Sequence, residues 1–185
     1  MSLDNTSLPF VDGGDDNIQP KDGYDHPLLG LADGSFYHIH ITALVCMTTS
    51  FICAVVSVVL AFRYWGHRRF FLKWSKGQRF VVYMAICDGL QNITHFFDHL
   101  QITLSRSMVQ PRELCLFYAV FLITFSAAQM VMVNVMAVNA FMLLFYDRNL
   151  NYGKHDWKLL LWVFGGPFLC ALIAAFADQL GPNGV

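Results

Sequence analysis

Asp88, Gln91, Asn92, His95, Asp98 and His99 share one face if the segment that holds them is helical, falling within an arc of roughly 120°. Each type in that stripe has a use. Asp88 is a carboxylate among apolar neighbours, where it needs a partner, a bound cation or a raised pKa. That makes it a candidate ion site or conformational switch, with Asn92, His95 and His99 as further ligand- or ion-binding candidates. Gln91 and Asn92 serve equally well as hydrogen-bonding glue between helices. His95 and His99 stand four apart, the spacing with which one helical face offers two imidazoles to one metal. Neither a haem site nor a histidine-box oxidase is completed, because the first needs axial ligands on opposing helices and the second needs further histidine clusters. His38 and His40 are the other histidines at comparable depth. No metal, no cofactor and no enzymatic activity is therefore expected.

A second face carries small and polar residues. Ser126, Gln129, Ala137 and Ala140 cluster within about 80° of one another on a helix, with Asn134 close by. Such a face lets helices pack closely, and Gln129 and Asn134 are candidates for interior hydrogen bonding. Four cysteines, Cys46, Cys53, Cys87 and Cys170, sit inside apolar stretches as packing residues, and Cys115 stands apart at the end of one.

These residues need elements to hold them, and composition names the solvent of those elements. Of 185 residues 56% are hydrophobic and only 14% charged, and 17 are Phe, more apolar surface than a soluble domain of this length can hide. Four apolar stretches, at about 39–62, 80–103, 114–146 and 159–177, are each long enough to cross a bilayer as a helix, which takes roughly 20 residues. The first, Ile39 to Phe62, has no Lys, Arg, Asp or Glu in 24 residues. The third is longer than a bilayer requires, so it should tilt or project. Gly165, Gly166 and Pro167 should bend the fourth. Short connections make the expectation an all-α membrane protein, four transmembrane helices in an up-down bundle over 36–185. Residues 1–35 are rich in Asp, Gly, Asn and Pro, and are expected to be a disordered extracellular tail without a cleavable signal peptide.

The net charge of −1 hides an uneven distribution. Seven of the 13 acids precede the first apolar stretch, while Arg63, Arg68, Arg69, Lys73, Lys76 and Arg79, six of the 12 bases, lie between the first and the second. Basic loops are retained in the cytoplasm, so the tail is expected outside. Asn5-Thr6-Ser7, a glycosylation sequon with Asn5 as acceptor, agrees with that orientation, although Asn92-Ile93-Thr94 has the same form within a span. The expected partner is membrane lipid, with no nucleic acid.

A short basic first loop, an aspartate-bearing second helix, a cysteine opening the third in Glu113-Leu114-Cys115, and a fourth running from Trp162 to Pro167 and closing on Gly181-Pro182-Asn183-Gly184 together resemble a G-protein-coupled receptor. The layout is similar to the cyclic-AMP-receptor-like and secretin-like groups, over about 39–185. It departs from the rhodopsin-like pattern in having Tyr146-Asp147-Arg148 at the end of the third helix, so no ionic-lock role is carried over. The resemblance implies a seven-helix fold of which this chain is the N-terminal part, an extracellular ligand, a heterotrimeric G protein as partner, and the plasma membrane as location. It also implies a disulfide from Cys115 to the second extracellular loop, with its partner cysteine beyond Val185. Two other classes stay open: a four-span membrane organiser, and a transporter or redox membrane protein using the polar stripe.

Overall fold

The computed structural model describes Tyr24 and residues 28–181, all helix and turn. Four long helical stretches follow one another: α1, Phe36–Trp65; α3, Lys76–Ser105; α4, Arg112–Tyr146; and a last one made of α5, Trp157–Leu160, a π turn, Leu161–Gly165, and α6, Gly166–Phe176. A single helical turn, α2, Phe70–Lys73, lies in the basic connection between α1 and α3. In sequence order α1 packs on α3, α3 on α4, and α4 on the last stretch. Three helical stretches, Phe36–Trp65, Arg112–Tyr146 and Lys154–Phe176, are long and apolar enough to cross a membrane, each containing 18 residues whose mean hydropathy reaches 2.4, 2.0 and 2.3 in turn.

The fourth expected span, 80–103, is a helix of sufficient length, but it does not reach that apolarity. The reason is its polar stripe from Asp88 to His99. Such a helix belongs inside a bundle, and α3 does lie between α1 and α4. Lipid-type surface lies on α1 and α4 and on the back of α3: Val45, Ile52, Val56, Val59 and Leu60 of α1 are all exposed, as are Val133, Val138, Phe141 and Leu144 of α4 and Ile86, Leu90 and Phe97 of α3, opposite its polar stripe. An apolar surface of that extent needs an apolar solvent.

Local chemistry sets the boundaries. Ser75 starts α3 with a capping box, its hydroxyl accepting from the Gln78 amide at 3.2 Å while Gln78 Oε1 accepts from the Ser75 amide at 2.8 Å. Gly66 ends α1 at φ +79°, its N–H bonded to the Phe62 carbonyl. The expected irregularity near Pro167 takes the form of the π turn just before it. Pro167 has no N–H to offer the Val163 carbonyl, and its ring crowds that carbonyl, so the turn widens.

At the end of the molecule that carries the basic connection, Phe70, Trp74, Tyr83, Met132, Leu159 and Val163 belong to one buried cluster. Trp74 is only 5% exposed, packs against Phe62, Trp65 and Phe70, and donates from Nε1 to the Gly66 carbonyl at 3.3 Å. The basic connection is thus folded against the helices it joins. At the opposite end Phe36, Ile102 and Val109 form a second cluster, with Leu28, Leu114, Cys115 and Tyr118 against it. Of the tail expected to be disordered, residues 28–35 form turns, with the Phe36 amide bonded to the Gly30 carbonyl, and the Tyr24 hydroxyl donates to the Val109 carbonyl. The rest of that tail, with Asn5, lies outside the described residues.

Candidate functional site

Polar side chains of α3 meet other elements at three depths. In the middle, α1 and α3 approach closely where Gly89 faces Ala54, so closely that a Cβ on Gly89 would lie 3.7 Å from that of Ala54. The approach brings Ser50 of α1 to Asp88. The Ser50 hydroxyl donates to Asp88 Oδ2 at 3.1 Å, and Asn92 Nδ2 donates both to Ser50 Oγ at 3.1 Å and to the Asp88 carbonyl at 2.9 Å. Two sequence candidates, Asp88 and Asn92, are therefore joined through a serine that sequence reading passed over. The hydroxyls of Thr48, Thr49 and Ser57 in α1 bond back to their own helix, and nothing in the sequence marks Ser50 as different.

Toward the end away from the basic connection, three imidazoles form a line. His40 Nδ1 lies 2.8 Å from His99 Nδ1, and His99 Nε2 lies 3.1 Å from His95 Nε2. His40 is 3% exposed, packs on the Phe36 ring, and leaves Nε2 without a hydrogen-bond partner. Asp98 completes the group: ligand atoms of His95, Asp98 and His99 all lie within 4.8 Å of one another, on half-buried side chains. The Asp98 carboxylate is also within electrostatic reach of Cys115 and Tyr118 on α4. The i, i+3, i+4 spacing on α3 was legible in the sequence. The arrival of His40 from α1 was not.

The third meeting point lies at the basic end. Arg79, in the first turn of α3, grips Asp156 with two bonds, Nε to Oδ2 at 2.6 Å and Nη2 to Oδ1 at 3.0 Å. Both side chains are nearly out of solvent, 12% and 6% exposed. Tyr83 donates its hydroxyl to Asp156 Oδ2 at 3.1 Å, and Arg79 Nη1 donates to the Trp74 carbonyl at 2.8 Å. Asp156 sits just before α5 in a left-handed conformation, φ +56°, following His155 at φ +60°. Around this pair Lys76 Nζ donates to Asn149 Oδ1 at 2.6 Å and to the Leu150 carbonyl, and lies over the Tyr152 ring. Burial, with the Arg79 guanidinium close by, lowers the Lys76 pKa from its ordinary value, and the Asp156 carboxylate opposes that. Burial, then the Asp156 charge, raises the Tyr152 phenol.

The remaining sequence candidates are placed less tightly. Gln91 Oε1 and Gln129 Nε2 are buried without partners, an acceptor on α3 and a donor on α4. Asn134 is exposed and donates to the Met130 carbonyl of its own helix, so it joins no interhelical contact there. Cys115 is half-buried, and all five cysteines are unpaired among the described residues.

Compared with family models, with curated proteins and with solved structures, the chain matches none. What its own geometry establishes is an all-α protein with several helices long and apolar enough to span a membrane, held along α3 by polar contacts.

Proposed function

We propose that this chain is the membrane-spanning front half of a ligand-gated receptor: the first four helices of a seven-helix, G-protein-coupled type, arranged up and down in the plasma membrane with the tail outside. In this reading an extracellular ligand shifts a conformational equilibrium that a heterotrimeric G protein reads at the basic end. The observation that carries the reading is the series of contacts made by α3. Asp88 bonds to α1 at mid-helix through Ser50, and Arg79 bonds to the connection before α5 at the basic end. A helix held at several depths by polar contacts can exchange one set for another with little change in packing. Its role is signal transmission rather than catalysis.

In the full-length receptor, Asp88→Asn is expected to change basal G-protein coupling several-fold and to remove its dependence on sodium, with surface expression preserved. Resonance energy transfer between receptor and G protein in cells, read across sodium concentrations, measures both. Unaltered coupling and unaltered sodium response in the variant would reduce Asp88 to a packing residue. Absence of coupling to every class of heterotrimeric G protein would remove the receptor reading itself.

A further inference from the structure

We infer that His95, Asp98 and His99 form a binding site for a divalent first-row transition ion such as zinc, with His40 as the outer residue that orients His99. The inference stands apart from the receptor reading and rests on three features of the geometry.

The first is spacing. His95 Nε2 and His99 Nε2 are 3.1 Å apart. Two nitrogens each about 2.0–2.1 Å from a common zinc ion, subtending an angle of about 100°, have that separation. The second is charge. Asp98 lies with both imidazoles inside the 4.8 Å group, yet among the described residues it makes no ion pair. A carboxylate in such surroundings lacks a counter-charge, and a divalent cation supplies it. Two histidines and one carboxylate also make the ligand set that holds zinc or iron with further positions open to water or to a small ligand.

The third feature is tautomer. A metal on His99 Nε2 requires the His99 proton on Nδ1, and the neighbour 2.8 Å from Nδ1 is His40 Nδ1, able to accept it. Metal-binding histidines are commonly held by such a partner on the other ring nitrogen, which fixes the ring and strengthens the ligand. His40 is then protonated on Nε2, the buried atom without a partner. His40 comes from α1 and the three ligands from α3, so an ion here would also brace the α1–α3 contact. The half-buried state of the three ligands leaves a way in for the ion.

The test uses the full chain purified in detergent without a polyhistidine tag. After exposure to zinc and desalting, metal content is read by mass spectrometry, and cobalt replaces zinc for visible spectroscopy. The expected result is one zinc per chain, and cobalt bands that report nitrogen and oxygen ligands. His95→Ala, His99→Gln and Asp98→Asn should each weaken zinc binding at least tenfold. His40→Ala should weaken it by roughly 10–100-fold, and the exposed neighbour variant His38→Ala should leave it unchanged. The Gln and Asn substitutions conserve size, so a monodisperse elution profile separates lost binding from lost folding. Zinc at background level in the unaltered chain, or equal zinc retention in His95→Ala and His99→Gln, would overturn the site.

Discussion

Replacing Asp156 with alanine is expected to destabilise the protein by about 3–5 kcal/mol, the range for stripping one partner from a buried ion pair. The size of the effect comes from what is left behind. Arg79 is 12% exposed and would keep its charge with only the Trp74 carbonyl for company. Part of the loss is conformational, since Asp tolerates the left-handed region at φ +56° better than alanine does. Asp156→Asn separates the two contributions, because asparagine keeps that tolerance and can still accept from Tyr83 but no longer neutralises Arg79. Combining Arg79→Met with Asp156→Asn should recover most of the stability, because no buried charge then remains. Thermal unfolding in detergent, followed by size-exclusion fluorescence, measures the series. Equal stability of Asp156→Ala and the parent would mean that the pair is solvated and contributes little.

Gly153→Ala should cost nearly as much through a different cause. Gly153 has φ +81° and ψ 178°, a region that is essentially glycine-only, at an expected cost on the order of 1–3 kcal/mol for another residue. A Cβ there would also lie 2.7 Å from Trp157 Nε1 and 2.9 Å from Trp157 Cδ1, so the indole must move. Trp157 opens α5 directly after Asp156, and moving it pulls on the carboxylate that Arg79 holds. The two substitutions damage one junction. Their combined effect in the same unfolding assay should therefore fall short of the sum, and simple additivity would show that Gly153 and the ion pair act independently.

Sequence reading recovered what is periodic. The face holding Asp88, Asn92, His95 and His99 follows from helical spacing, and the structure directs Asp88, Asn92 and His99 of that face to α1. The apolar stretches became helices, the first two longer than expected because helices continue through flanking polar residues: 39–62 became Phe36–Trp65, and 80–103 became Lys76–Ser105. The polar stripe also had a consequence not foreseen, in that it holds α3 below the apolarity of the other three long helices. Pairings across the chain were not legible. Arg79 and Asp156 are 77 residues apart, and each looks like an ordinary loop-edge charge until the fold joins them. Ser50 and His40 were hidden for the same reason: one is a hydroxyl among several on α1, the other one of two histidines near the start of that helix, and each matters only through its neighbour on α3.

Glycosylation mapping in microsomal membranes tests most directly whether these helices lie in a bilayer with the connection between α1 and α3 on the cytoplasmic side. A sequon engineered between residues 63 and 79 should stay unmodified while Asn5 accepts glycan, because six bases and no acid lie in that connection. Glycan on the engineered sequon with Asn5 bare would contradict the account and place the basic end outside.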